Sequence, residues 1–252
     1  MSNAKEYYNR TSRDYVDKWK KIELERDNPT NSFRLKLIHS LIEMANIRSG
    51  DKVIEIGCGT GLVLKELLKY VKPIYGIDVS VEMLKRAQDS VLKGRKVVIV
   101  NGFKEVFQEI KEGQPEPEVI LFENDILDLK LPLNYFDKIL SLEVFRYIKE
   151  TKTALNNAVR IMKPESIFVF TVTNQWSANL FPIKFLIRKW LGLINPKREI
   201  FQYFTTEKSI RKAIKEVGLE VVEFRKIDKR LKNIPILRFF FDVFIIAVKK
   251  ST

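Results

Sequence analysis

Apolar residues recur at helical spacing in the first 48 residues of the chain. The first such segment, over residues 6–21, contains Tyr8, Tyr15, Val16 and Trp19. Asp27-Asn28-Pro29 marks its end. The second segment begins after Asn31 or Ser32 as N-cap and repeats apolar residues at positions 33, 37, 41 and 45. The pattern predicts a helical cap over residues 1–48 that covers a sheet.

From residue 50 onward, short apolar runs alternate with segments of helical period, as in a parallel sheet built from strand-helix-strand units. The predicted strands are 53–56, 74–78, 119–122, 138–142, 167–172, 219–224 and 244–248. This predicts an α/β fold with a doubly wound, seven-stranded, mostly parallel sheet. The whole chain, 1–252, then forms a single domain, with its main binding core in 50–172 and the last part of the sheet in 205–252.

Two segments depart from the simple alternation. Residues 95–117 form a predicted insertion, in which 97–100 is a candidate extra strand outside the seven and 103–110 has helical spacing. Residues 174–204 mix aromatic and aliphatic side chains with lysines and arginines. Charges interrupt this second segment well before the roughly 20 apolar residues that a bilayer crossing needs. We therefore expect a basic, aromatic lid here.

Composition and charge narrow the class of protein. One cysteine, Cys58, excludes a disulfide framework, and one histidine, His39, excludes a zinc site of the Cys/His type, so no metal is expected. The start of the chain has no secretion pattern, and the cytoplasm is the expected compartment. The net charge is +13, and the last 72 residues hold 17 basic against 7 acidic residues. The excess of basic residues in this part of the chain indicates one of two things. It is either a solvated surface or a surface that contacts a membrane, RNA or an acidic substrate.

The segment that carries chemistry is Val53-Ile-Glu-Ile-Gly57-Cys-Gly59-Thr-Gly61. A buried strand breaks here into three alternate glycines, which let the backbone approach a ligand, and the following helix offers unpaired N–H donors. The next strand ends at Asp78, where a carboxylate can bind ribose hydroxyls. A nucleoside is the expected ligand. The dinucleotide fingerprint would need glycine or alanine where Leu62 stands, and no phosphate-loop lysine follows.

These residues resemble the class I S-adenosylmethionine-dependent methyltransferases, of the small-molecule type near the ubiquinone and menaquinone methyltransferases. The first motif is matched by Glu55-Ile-Gly57-Cys-Gly59-Thr-Gly61, and Gly76-Ile-Asp-Val-Ser80 with Met83-Leu84 and Ala87 follows it in the usual order. Glu123-Asn124-Asp125-Ile126 is similar to the third motif, and Ser141-Leu142-Glu143-Val144 to the end of the fourth strand. Residues 50–172 match the family well, and residues 203–224 match it moderately.

The resemblance implies a Rossmann-like fold and S-adenosyl-L-methionine as cofactor, with S-adenosyl-L-homocysteine as product. Asp78 would hold the ribose, and Asp125 with the next backbone N–H would read the adenine. The cofactor-binding residues it implies are Glu55, Gly57, Cys58, Gly59, Thr60, Gly61, Asp78, Val79, Met83, Asn124, Asp125, Ile126 and Leu142. If 97–100 rather than 119–122 is the third strand, Asn101 takes the place of Asp125.

The catalytic group remains open at this level. Tyr147 stands where the family often has a histidine, so a general base would come from Glu143, Tyr147, Tyr8 or Tyr15, each of which also fits a packing or cofactor contact. Asn174, Gln175 and Trp176 are weaker candidates for the acceptor side. Methyl transfer needs no covalent intermediate, and Cys58 is expected only to be small enough for its loop.

Three functions are compatible with this sequence. The first is methyl transfer to a small lipophilic or anionic acceptor, with the aromatic and basic lid resting on a membrane surface. The second is an RNA methyltransferase that holds phosphates with its basic C-terminal part. The third is a noncatalytic partner protein that keeps the cofactor fold for binding alone.

Overall fold

The computed structural model describes residues 3–24, 29–103, 116–174, 203, 205–227 and 243–250. Two helices come first, α1 (Asn3–Leu24) and α2 (Pro29–Ala45). Leu37, Ile38 and Leu41 of α2 are buried. The predicted N-terminal helices are therefore present, and α2 packs its apolar face on the sheet, as the helical spacing of its apolar residues predicts.

The centre of the fold is one sheet of eight strands, in the order β3-β4-β2-β1-β5-β6-β8-β7. Strands β1 to β6 pair in parallel, whereas β8 is antiparallel to both of its neighbours. The strands are β1 (Val53–Ile56), β2 (Ile74–Asp78), β3 (Val97–Val100), β4 (Val119–Glu123), β5 (Phe136–Ser141), β6 (Met162–Thr173), β7 (Leu219–Ile227) and β8 (Val243–Lys250).

The sheet has eight strands where the sequence predicted seven. The additional strand is β3, which lies at the edge and pairs with β4, in register from Val97 opposite Val119 to Val100 opposite Phe122. Three of its four residues are only half-buried. A run of four apolar residues does not reveal whether it is an edge strand or a loop, because pairing is a long-range property.

Helices cover both faces of the sheet, which confirms the doubly wound architecture. One face carries α2, α3 (Leu62–Leu67) and α4 (Val81–Arg86), the last extended by a π-helical turn at Ala87–Val91. The other face carries α5 (Thr151–Ile161) and α6 (Glu207–Glu216), together with short 3-10 helices at Ile126–Asp128 and Phe145–Tyr147. The connections that follow β1, β2, β4 and β5 meet at the carboxyl edge of the sheet, where ligands bind in such folds.

The expected lid and most of the expected insertion lie outside the described residues. At the margin of the lid segment, Asn174 is buried and forms a bridge with Thr205. The Tyr203 amide donates a hydrogen bond of 2.6 Å to the Arg146 carbonyl. Within the described parts of the chain, no helix combines the length and apolarity needed to cross a membrane.

Candidate functional site

The glycine loop between β1 and α3 is held tightly in place. The Gly57 and Cys58 amides donate hydrogen bonds of 2.7 and 2.9 Å to the Ile77 carbonyl on β2. Gly57 has φ of 74°, and a Cβ built there would lie 2.1 Å from Cγ2 of Val144. Gly59 also has positive φ, but a Cβ there would meet no described atom within 4 Å. The first glycine is thus required by packing, while the second leaves space toward the cleft described below.

The Asp78 carboxylate lies at the end of β2 and faces this loop. Its Oδ2 accepts a hydrogen bond of 2.8 Å from the Gly59 amide, and its Oδ1 accepts one of 2.9 Å from the Ser80 amide. Burial raises the pKa of Asp78 to about 6, although these two amides lower it. An ionised carboxylate has about four acceptor positions, so it can still accept hydrogen bonds from ligand hydroxyls.

A second carboxyl group, Glu55 of β1, is buried beside Asp78. Its side chain is only 2% exposed, and Oε2 accepts no hydrogen bond from any described residue. Burial, and then the charge of Asp78, raise the pKa of Glu55 well above its usual range. Buried polar atoms are normally satisfied, so this oxygen marks a place where a ligand donor would fit. Burial also raises the pKa of the Cys58 thiol, which disfavours the nucleophilic thiolate form.

The loop, the two carboxyl groups and the adjoining segments form one cleft. It encloses about 1130 Å³ not filled by protein atoms, including the part open to solvent. All but one of the cofactor-binding residues named from the sequence line it, namely Glu55, Gly57, Cys58, Gly59, Thr60, Asp78, Val79, Met83, Asn124, Asp125, Ile126 and Leu142. The exception is Gly61, which packs behind the loop: a Cβ there would lie 3.1 Å from Leu92 and 3.2 Å from Ala87.

Sheet order decides which segment stands beside Asp78. Strand β4 pairs directly with β2, whereas β3 lies one strand further out. The Asn124 amide donates a hydrogen bond of 3.0 Å to the Asp78 carbonyl, and Oδ1 of Asp125 accepts one of 2.9 Å from the Leu127 amide. Asn124 and Asp125 line the cleft, and Asn101 is not among its lining residues. The geometry therefore favours Asp125 over Asn101.

Charged and aromatic side chains line the opposite wall. Glu143, at a φ of 60°, accepts hydrogen bonds of 2.7 Å from Arg34 of α2 and 2.6 Å from Arg146. Tyr147 packs edge-to-face on Tyr8 of α1, with ring centres 5.5 Å apart. Glu143, Tyr147 and Tyr8 line the cleft, whereas the Tyr15 side chain lies outside the described residues, as do Gln175 and Trp176.

Among the lining residues that sequence reasoning did not name as site residues are Arg34 and Ala4. Both lie on the N-terminal helices, where the apolar spacing shows only which face of a helix is buried. The sequence contains no local signal that Arg34 meets Glu143, 109 positions away. Among the described residues, no group of three or more metal-ligating side chains is gathered in a way that could hold a metal ion.

The pKa of Asp78 leads to a prediction about pH. Its pKa of about 6 lies above the ordinary 3.8, so in the range between them the folded protein binds more protons than the unfolded chain. Cofactor-free protein should thus lose stability as pH rises from about 4 to 6. A ligand whose hydroxyls donate to the carboxylate favours its ionised form, so its affinity should rise over the same range, by at most about tenfold per pH unit.

The measurement is the thermal shift given by adenosine-containing ligands at pH 5 and pH 7. We expect a larger shift at pH 7, and in the Asp78→Asn variant we expect this pH difference to shrink. An equal shift at both pH values in the wild type would contradict the role of the carboxylate.

Known proteins of related sequence include methyltransferases. A family model described as a methyltransferase domain matches residues 31–224. An uncharacterised protein of Methanocaldococcus jannaschii is 28% identical over 256 residues, covering 96% of this chain and 85% of that protein. The ubiquinone biosynthesis O-methyltransferase of Pasteurella multocida is 25% identical over 169 residues, or 64% of each chain.

Solved structures share the fold. A chain from the complex of the Haloferax volcanii Trm112 methyltransferase activator superimposes with a TM-score of 0.64 at 18% identity, covering 97% of this chain and 98% of that one. The magnesium protoporphyrin IX methyltransferase of Synechocystis with bound S-adenosylhomocysteine gives a TM-score of 0.63 at 17% identity, covering 98% of both chains. At such identities the likeness concerns the fold alone.

Proposed function

Because the chain belongs to the class I S-adenosylmethionine-dependent methyltransferase family, we propose that it transfers the cofactor's methyl group to a small acceptor molecule. The observation that carries this proposal is the convergence of the glycine loop, Asp78 and the unsatisfied Glu55 oxygen on one cleft. If the glycines served only to pack the loop, the carboxyl groups of Asp78 and Glu55 would not be needed beside it.

The donor set of the cleft fits this cofactor. Among its described lining residues, the carboxylates of Asp78, Asp125 and Glu143 face one basic group, Arg34, while the raised pKa of Glu55 favours its neutral form. S-adenosylmethionine carries a sulfonium, an ammonium and a single carboxylate, so the balance of charges is complementary. The loop amides and Asp78 would hold the ribose side, and Asn124 to Ile126 the adenine. Arg34 with Glu143 would hold the amino-acid end, the guanidinium for its carboxylate and the glutamate for its ammonium.

The protein's contribution to the reaction is placement. When bound, the cofactor supplies a methyl group on a positively charged sulfur, which leaves by in-line displacement. Holding two reactants in line can lower the barrier by about 7 to 11 kcal/mol, and exclusion of water strengthens the electrostatics of the cleft. Both oxygens of Glu143 already accept from arginines, so we assign it to orientation, and Tyr147 and Tyr8 to the acceptor wall.

Calorimetry with S-adenosylmethionine tests the cofactor, and incubation with cell extract tests the transfer. We expect saturable binding, and an extract component that gains about 14 mass units, one methyl replacing one hydrogen. Binding without transfer to any component would favour the noncatalytic alternative. Absence of binding would refute the proposal.

RNA is a second candidate acceptor, supported by one surface feature. Helix α6 exposes four basic side chains, Lys208, Arg211, Lys212 and Lys215, at i, i+3, i+4 and i+7, so that they lie on one face. Glu207 binds Arg211, and Glu216 lies 3.8 Å from Lys212, which leaves the face with an excess of positive charge. The proposed membrane contact of the lid falls on residues outside the described ranges.

Salt dependence separates the two acceptor classes. If RNA docks on this face, its affinity should fall steeply as salt rises, and a Lys208→Glu, Lys215→Glu double variant should weaken binding of a single-stranded RNA oligonucleotide at least about tenfold. The matched control is Lys65→Glu, Lys69→Glu on the opposite face of the sheet, which should leave RNA binding unchanged. Equal effects of both variants would show a nonspecific charge effect and remove RNA docking on α6.

A further inference from the structure

Helix α1 contacts the two segments that flank Asp78. The Lys5 ammonium forms an ion pair with the carboxylate of Glu123, the last residue of β4. Oδ1 of Asn9 accepts a hydrogen bond of 2.6 Å from the hydroxyl of Ser80, two residues beyond the end of β2. Between these two contacts, Tyr8 forms part of the cleft wall. The first turns of α1 therefore lie across the cleft.

The three contacts come from one side of the helix. Lys5 and Asn9 are four positions apart, so their side chains lie one above the other, and Tyr8 lies beside them. This side is polar apart from the tyrosine ring, and the Lys5 and Glu123 side chains are 35% and 38% exposed. Such contacts are individually weak, so they can hold a helix in place and still break in order to admit a ligand.

The Asn9 contact is linked to the Asp78 carboxylate through Ser80. Ser80 is fully buried, and its hydroxyl accepts a hydrogen bond of 3.2 Å from the Met83 amide as the N-cap of α4. The Ser80 amide donates to Oδ1 of Asp78 at 2.9 Å. Asn9 thus holds the hydroxyl of Ser80, and the backbone amide of Ser80 orients the Asp78 carboxylate. A shift of α1 would therefore also move the Asp78 carboxylate.

We propose that Lys5 and Asn9 are positioning residues that hold α1 over the bound cofactor, so that the cofactor leaves only after their contacts to Glu123 and Ser80 break. This inference rests on the function proposed above, because it takes the cleft to be the cofactor site. It assigns to α1 a role in retention of the cofactor beyond the binding contacts of the glycine loop and Asp78.

The test is the dissociation rate of S-adenosylhomocysteine, measured by stopped-flow displacement from the full-length protein. Lys5→Glu places like charges together and should raise this rate about three- to tenfold, as should Glu123→Lys. The double variant with the charges exchanged should return to within about twofold of the wild type. Asn9→Ala, which removes one neutral hydrogen bond, should raise the rate about two- to tenfold.

Arg13→Glu is the matched control, because Arg13 is an exposed cation about two turns further along the same helix. It makes the same charge change and should leave the dissociation rate and the melting temperature unchanged. If the wild type binds no cofactor, the proposed function itself fails. If the wild type binds and neither Lys5→Glu nor Asn9→Ala alters the rate, or the exchanged pair is not restored, the role of α1 is overturned.

Discussion

Replacement of Asp78 by alanine should weaken binding of S-adenosylmethionine at least about tenfold, because one charge-assisted hydrogen bond is worth roughly 1.5 to 3 kcal/mol. The variant also leaves the Gly59 and Ser80 amides without their carboxylate acceptor. The loop and the start of α4 would then lose the group that joins them. Titration calorimetry at pH 7.5 or above, where the carboxyl group is ionised in the wild type, gives the affinity.

Two further variants isolate the cause of this loss. Asp78→Asn keeps the shape of the side chain but turns one acceptor into a donor that faces a backbone N–H, so it should bind as poorly as the alanine variant. Asp128→Ala removes an exposed carboxylate from the 3-10 helix beyond Asp125 and should bind normally. An Asp78→Ala variant with wild-type affinity and an unchanged melting temperature would remove Asp78 from the site.

Gly57→Ala should have the second large effect, on stability as well as on binding. The added methyl would lie 2.1 Å from Cγ2 of Val144, and alanine would have to adopt a φ of 74°. Overpacking and left-handed backbone strain each cost about 1 to 3 kcal/mol. We expect the free energy of unfolding in urea to fall by about 2 kcal/mol or more, and cofactor affinity to fall more than tenfold because the loop amides move.

Two further variants separate the overpacking against Val144 from the backbone strain. Gly94 also has a positive φ, of 83°, but a Cβ there would meet nothing within 4 Å, so Gly94→Ala measures the strain alone. Val144→Ala removes the two methyl groups nearest to the new side chain, so the double variant Gly57→Ala, Val144→Ala should regain part of the lost stability. If Gly57→Ala were no less stable than Gly94→Ala, the contact with Val144 would not govern this turn.

The glycine loop and Asp78 could be identified from the sequence because each depends on a pattern within a few consecutive residues. Glycines at alternate positions after a buried strand specify a turn with positive φ, and the observed angles at 57, 59 and 61 have that sign. An acid that ends the next apolar run must lie at the same edge of a parallel sheet. Local pattern alone therefore placed most of one wall of the cleft.

The local sequence pattern could not decide whether Asn101 or Asp125 lies beside Asp78 as the expected adenine-binding residue. Both follow short apolar runs of similar composition, Val97–Val100 and Val119–Glu123. Only the hydrogen bonding of β4 to β2 makes Asp125 the neighbour of Asp78. Pairing depends on which strand edge is available in the folded protein. Two apolar runs of similar sequence do not show which of them pairs with β2.

The sequence by itself determined the alternation of strands and helices, the glycine turn and the acid beside it, because these depend on backbone conformation and on contacts between near neighbours. The tertiary structure alone decided that β3 takes the sheet edge, that Val144 closes over Gly57, and that Arg34 meets Glu143. Those contacts join residues far apart in the chain, and they form only when packing of the whole core brings their elements together.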